Sequence, residues 1–426
     1  MKVNLGLIGF GTVGSGVVKL LRENHDLIEK RTGAALHLKK IADRDISSDR
    51  GVNVDPKILT TDVETILSNP EIEIVIELIG GEEPAKSYII EALRRKKHVV
   101  TANKVLLAKY SEEIFKIAKG NNVQVQYEGS VAGGIPLINA LREGLVANKV
   151  RTILGIINGT TNYILTKMNE DGQSFEEALK GAKEKGYAET NPALDIEGID
   201  SGEKLAILSS LAFGTRVDMS NVYTEGISKI TIQDIKFARE FGYIIKLLAI
   251  AKNTNQDIEL RVHPTMLPLK HPLASVRDEY NAIYIEGDAV GTTMFYGKGA
   301  GQMPTASSVI SDVIKVALNM GNTISYPNLI WGTKKIKSIE EITSRYYLRF
   351  PILDQPGVIG KIGTILGEHD ISITSAIATL VEKQKNEGNV EILTHETKER
   401  NIRSALKEID ELPMMWGQSL LIRIEE

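Results

Sequence analysis

The chain has 426 residues, 42% apolar and 25% charged, the balance of a water-soluble globular protein of two or three domains. Its 51 Lys and Arg against 55 Asp and Glu leave a net charge of -4, which argues against a broad nucleic-acid footprint. It has no Cys, which excludes disulfides, thiolate catalysis, zinc fingers and iron–sulfur clusters. No apolar run approaches the ~18 residues of a membrane helix. The N-terminal apolar stretch is too short for a secretory signal, so a cytoplasmic protein is expected.

Along the first 130 residues strand and helix signals alternate. Strands are expected over 3–8, 36–42, 71–79, 99–101 and 123–127, and helices over 13–22, 84–97 (with Pro84 as first helical residue) and 105–119. That order predicts a doubly wound parallel sheet in an α/β domain. The middle of the chain is mixed. It offers strands over 150–157, 258–266 and 282–286 and helices over 175–185, 202–213, 232–237 and 304–320. The last of these is expected to pack back on the first domain. Turn formers predict a linker over 321–344. The final 80 residues read β-α-β-β-α-β, with strands over 345–350, 371–380, 390–395 and 419–424, helices over 358–369 and 398–412, and a polar connection over 383–388. This order closes a core without help. A chain ending near Thr343 is therefore expected to remain active.

Gly9-Phe10-Gly11-Thr12-Val13-Gly14 follows the first strand and opens a helix. Its glycines let the backbone approach a pyrophosphate, and the helix N-terminus offers N–H groups to the charge. At the end of the second strand Asp43 would bond the ribose hydroxyls of NAD, while Arg44 would welcome the extra phosphate of NADP; the balance leans to NADP. Thr101-Ala102-Asn103-Lys104 lies at the carboxyl edge of the sheet, where Lys104 faces either a ligand or solvent. Glu128-Gly129-Ser130-Val131-Ala132-Gly133-Gly134-Ile135-Pro136 has many free carbonyls, fit for a ligand loop, a monovalent cation or a plain hinge. Asp200 is read as the residue that opens a helix, with Lys204 four residues on and so on the same face. The residues after Lys204 are almost wholly apolar, so this is no ordinary surface lysine. The segment Gly155-Ile156-Ile157-Asn158-Gly159-Thr160-Thr161-Asn162-Tyr163 ends a strand in small hydrogen-bonding residues, and the glycine loop of residues 297–305 enters the return helix.

Together residues 9–14, 101–104, 130–136, 158–162, 186–189, 195–204 and 299–305 resemble homoserine dehydrogenase, in family order over residues 1–320. The tail with Asp354-Gln355-Pro356-Gly357-Val358 resembles an ACT domain, an amino-acid-binding regulatory module. The implied layout is a Rossmann domain over 1–130 completed by the helix at 304–320, a substrate and dimerisation domain over 131–303, and an ACT domain over 345–426. The implied reaction interconverts L-homoserine and L-aspartate 4-semialdehyde with NAD or NADP.

By the resemblance Lys204 is the acid/base, Lys104 sits at the cofactor–substrate gap, and Glu189, Asp200, Gly186 and Thr160 belong to the substrate site. Phe10, Gly11, Thr12, Val13, Arg44, Lys104 and Gly301 match cofactor contacts, and Glu128, Val131, Gly133 and Ile135 match a sodium site made largely of main-chain oxygens. The family pattern leads one to expect a second acid near position 191, where Asn191 stands. An unperturbed lysine, with a pKa of about 10.4, is a ready donor for aldehyde reduction. In the tail Asp354, Gln355, Gly357 and Val358 form a loop and helix start fit for an amino acid, threonine by pathway logic. A homodimer or homotetramer is expected. Another Rossmann amino-acid dehydrogenase, of the diaminopimelate type, and a non-catalytic sensor are the rival readings.

Overall fold

The computed structural model describes residues 1–254, 256–321, 332–382 and 386–426. Part of the expected linker, 322–331, and part of the expected polar connection, 383–385, lie outside the described residues. The chain divides into two compact units: 1–152 with 201–222 and 280–333, and 153–200 with 223–279 and 334–426.

The first unit is built on a six-stranded parallel sheet. In spatial order its strands are Leu59–Thr60, Ala35–Ala42, Lys2–Ile8, Ile74–Glu77, His98–Thr101 and Val125–Gln126. The β-branched run Ile74-Val75-Ile76 is buried throughout, as a strand covered on both faces requires. Its register aligns four strand ends in one row: Ala42 beside Ile8, Ile8 beside Glu77, Glu77 beside Thr101. The helices Thr12–Glu23 and Gln302–Leu318 cover one face, Val17, Val18 and Leu21 sharing a core with Ala306, Val309 and Val313. The return helix therefore packs on the Rossmann-like sheet, as expected. Two expectations shift. Pro84 precedes rather than opens the helix Ala85–Arg94, and the third long strand is shorter than 71–79.

The second unit holds a mixed sheet whose main path, in spatial order, runs Val150–Ile156 (from Ile153 onward), Tyr243–Asn253, Asp257–Pro268, Leu420–Ile424, Thr343–Leu353, Glu387–Thr394 and Ile373–Glu382, with short strands at Tyr223–Thr224, Lys335–Ile336 and Thr397–Lys398 pairing beside it. The last four, with the helices Val358–Glu368 and Glu399–Asp410, make the β-α-β-β-α-β module around its own core of Tyr346, Leu348, Phe350, Ile362, Ile392 and Ile402. The module does not stand alone, however. Leu420–Ile424 pairs with Asp257–Pro268, Thr265 opposite Arg423. Buried charges cross the same seam. Arg261 binds Glu425 at 3.0 Å, and Asp234, with a fully buried side chain, receives Tyr347 Oη at 2.8 Å and Arg349 Nε at 2.7 Å. The tail has its own core but completes a sheet begun elsewhere in the chain.

Candidate functional site

In the first unit the row of strand ends carries the fingerprint loop. Gly9 has φ +101°, and a Cβ there would lie 2.7 Å from the Leu78 backbone. A Cβ on Gly14 would lie 2.1 Å from Gly9 O, whereas one on Gly11 would meet nothing within 4 Å. Two glycines are thus needed for packing, and the middle one borders open space, as a loop that admits a phosphate must. Gly11 is the N-cap of the helix Thr12–Glu23 and offers no side-chain cap, so the first amides, including those of Thr12 and Val13, face outward for an anion. Phe10 is buried, and its N–H donates to Asp43 Oδ2 at 2.5 Å. The other Asp43 oxygen accepts Asp45 N–H at 2.9 Å, and Arg44 beside it is exposed.

Glu77, fully buried at the end of its strand, is a residue that the sequence reading missed. Its Oε2 accepts Thr101 Oγ1 at 2.7 Å, and Oε1 accepts the N–H groups of Ile79 and Gly80 at 2.8 and 3.2 Å. Burial pushes its pKa up. Thr101 Oγ1 accepts Asn103 N–H at 3.0 Å, Asn103 donates to Gly81 O at 2.8 Å, and Asn103 caps the helix Lys104–Asn121. Lys104 therefore starts from a fixed cap, its Nζ 3.8 Å from Glu203 Oε2. The signal available in the sequence was an acid placed directly after Ile74-Val75-Ile76.

The loop after Tyr127 is less open than expected. The Glu128 carboxylate accepts Ile138 and Asn139 N–H, both at 2.7 Å, and its own N–H donates to Asp312 Oδ2 at 2.7 Å. Burial pushes the Asp312 pKa up to about 7, against the Glu128 N–H bond, which favours the charged form. Gly133 O accepts Ser308 Oγ at 2.7 Å and Ile135 O accepts Leu137 N–H at 2.8 Å. Each carbonyl keeps a second lone pair, so the donor set of Glu128, Val131, Gly133 and Ile135 still fits a monovalent cation held by main-chain oxygens. Among the described residues no group of three or more His, Asp or Glu is gathered as a metal site. Gly301, at φ +116°, is the N-cap of the return helix, and Gln302 Nε2 ties that helix to Ser15 Oγ at 2.9 Å.

In the second unit one amide gathers two acids. Asn158 Nδ2 donates to Asp195 Oδ1 at 2.7 Å and to Asp200 Oδ2 at 2.9 Å. Thr160 Oγ1 lies 3.0 Å from Asp195 Oδ2 and 2.7 Å from the Tyr187 carbonyl. The strand ends at Ile156, and residues 158–162 are the N-cap and first turn of the helix Gly159–Asp171, which was not expected, with Asn158 Oδ1 capping Thr161 N–H at 2.9 Å. Asp200 does not open its helix either. The helix Ile199–Phe213 begins one residue earlier, and Asp200 lies in its first turn, 6% exposed. Lys204, half-buried, follows one turn later on the same face. At position 191, where the family pattern led one to expect a second acid, Asn191 Oδ1 accepts Ala193 N–H at 3.2 Å. Gly186, at φ +73°, turns the chain out of the helix Phe175–Glu184. Glu189 is exposed, and among the described residues no hydrogen bond joins it to the acid cluster.

In the module Asp354, Gln355, Gly357 and Val358 line a cavity of about 500 Å³ together with Ile352, Ile359 and Ala378. Gly357, at φ +90°, is the N-cap of the helix Val358–Glu368.

Comparison with known proteins identifies the domains. Residues 9–128 match the homoserine dehydrogenase NAD-binding domain, 136–314 homoserine dehydrogenase and 346–413 the ACT domain. A homoserine dehydrogenase of Bacillus subtilis is 41% identical over 99% of this chain and 98% of its own, and one of Synechocystis is 43% identical over the whole of both. A crystal structure of a homoserine dehydrogenase from Thiobacillus denitrificans superposes with a TM-score of 0.92 at 41% identity, covering 100% of this chain and 99% of that one. A hyperthermophilic archaeal homoserine dehydrogenase mutant in complex with NADPH covers 77% of this chain at 28% identity, with a TM-score of 0.62. Full-length relatives of one activity set aside the diaminopimelate-type and sensor alternatives. The chain belongs to the homoserine dehydrogenase family, as an NAD(P)-dependent oxidoreductase acting on a CH–OH group with a C-terminal ACT domain.

Proposed function

We propose that the Asn158 cluster is the substrate site and that Lys204 is the acid/base. The carrying observation is the single amide that holds Asp195 and Asp200 together, since two gathered carboxylates offer the ammonium group of L-homoserine a charged seat. Thr160 steadies Asp195, and Glu189 and Gly186 border the substrate from the turn. Lys204, one turn along from Asp200, gives a proton to the oxygen of L-aspartate 4-semialdehyde as it becomes an alkoxide, and takes one back in the oxidative direction. Lys104, set by the Glu77–Thr101–Asn103 cap, keeps positive charge beside the nicotinamide end. A bound nicotinamide cofactor supplies hydride transfer; Gly11, Thr12, Val13 and Phe10 would hold its phosphates and Gly301 its flank.

NADP is favoured over NAD, because both Asp43 oxygens already accept backbone N–H groups while Arg44 is exposed beside them. A sodium ion on the carbonyls of Glu128, Val131, Gly133 and Ile135 would fix the loop rather than take part in proton or hydride transfer. The Asp354 cavity takes an amino acid, its carboxylate at the helix start and its ammonium at Asp354. Threonine, as end product of a route that also leads to methionine and isoleucine, is the proposed effector. Millimolar threonine should slow the enzyme, and Asp354→Ala should raise the concentration needed by about tenfold. The working form is proposed as a cytoplasmic homodimer or homotetramer.

The deciding experiment is Lys204→Ala. Turnover should fall by about 100-fold or more, with NADPH affinity held within about twofold. Near-normal turnover would make Lys204 a structural residue and refute the assignment.

A further inference from the structure

The strand Tyr243–Asn253 carries a lysine in the middle of the apolar run Ile244-Ile245-Lys246-Leu247-Leu248, and Lys246 is 1% exposed. A buried ammonium group needs strong partners or it loses its proton. Lys246 Nζ donates to Asn162 Oδ1 at 2.9 Å and to the Val276 carbonyl at 2.5 Å, neither of them a carboxylate. Burial pulls its pKa down to about 8, and the charges around it, Glu170, Arg277 and Asp278, act only at longer range. No step of the reaction uses it.

Its partners locate its role. Asn162 lies one turn after Asn158 on the helix Gly159–Asp171, and its N–H donates to Asn158 O at 3.3 Å. The Asn162 side-chain amide donates to Asp278 O at 2.9 Å, while Asp278 N–H donates to Thr166 Oγ1 at 3.1 Å. At Gly159 a Cβ would come within 2.7 Å of Glu279 O, so residues 276–279 are clamped against the first two turns of this helix. Lys246 is the pin through that clamp, because it holds the Asn162 amide from one side and the segment's carbonyl from the other.

We propose that Lys246 is a positioning residue for substrate recognition: through Asn162 it fixes the first turn of the helix Gly159–Asp171, and so the Asn158 amide that gathers Asp195 and Asp200. This rests on the reading of that cluster as the substrate site.

Lys246→Met removes both hydrogen bonds at similar volume, and Asn162→Ala removes the shared partner. Each should raise KM for homoserine by about tenfold, change kcat by less than about threefold, and leave NADPH affinity within about twofold. Asp200→Asn serves as the reference. If it raises KM and neither other variant does, the positioning role is overturned while the substrate site stands. If it too leaves KM unchanged, the substrate-site reading itself fails and takes the inference with it. Equal weakening of homoserine and NADPH, or failure of both variants to fold, assigns the pair to stability alone and overturns the proposal.

Discussion

The cofactor loop and the acid cluster are built by opposite means. In the first unit Ala42, Ile8, Glu77 and Thr101 are strand ends aligned by register, and the loop they carry is six consecutive residues, 9–14. In the second unit the acids meet the Asn158 amide from 37 and 42 residues away, and the strands behind them share one sheet with the C-terminal module. A site made of backbone at the end of one parallel sheet tolerates change elsewhere. A site made of distant side chains depends on everything that sets their elements.

The largest expected difference follows from the shared sheet. A chain ending at Thr343 loses the strand Leu420–Ile424 from the edge of Asp257–Pro268, takes Tyr347 and Arg349 from Asp234, and leaves Arg261 with Glu259 but without Glu425. The bared strand edge and the apolar surface beneath the lost module are open to mispairing, and a domain stable by only about 5–15 kcal/mol has little to spare for them. Contrary to the expectation from the tail's self-contained order, such a chain should lose soluble activity by about 100-fold or more. Activity within a few-fold of the full chain would show that the seam is dispensable. An intermediate effect belongs to the first unit. Arg44→Ala should weaken NADP by about tenfold and NAD by less than about twofold, as loss of a guanidinium–phosphate pair would do. Equal loss for both cofactors would leave Arg44 as loop surface.

The smallest effect is a pH dependence of stability. Asp312 has its pKa raised from 3.8 to about 7 in the folded chain. The folded state therefore binds the extra proton, and this contribution to stability, complete below about pH 4, is lost as pH rises through about 7. Asp312→Asn cannot lose that proton. Its thermal midpoint relative to the natural chain should thus rise by a few degrees between pH 5 and pH 8. A pH-independent difference would mean that Asp312 is ionised throughout.

How much of this was legible depends on how local each feature is. The fingerprint and the ACT-like order were readable because glycine spacing and apolar period are properties of neighbouring residues. The helix His25–Thr32 buries no residue, and Gly291–Lys298 buries neither face, so neither carried a pattern to read. Tyr243–Asn253 was missed because Lys246 breaks an apolar run that fits helix and strand alike. The helix Gly159–Asp171 was not expected, because its opening residues Gly159-Thr160-Thr161-Asn162 are weak helix formers that read as a polar turn after the strand. Glu77 carries no motif, and Asp195, though it opens the segment 195–204, was given no role of its own. Their roles exist only once register brings Thr101 beside the one and the Asn158 amide reaches the other.

Asp200→Asn, measured for both ligands on the same protein, tests the separation of the two sites most directly. Replacing a charged acceptor for the substrate ammonium should raise the homoserine KM by about tenfold or more, while the dissociation constant of NADPH stays within about twofold. Unchanged homoserine binding, or parallel loss of both ligands, would contradict it.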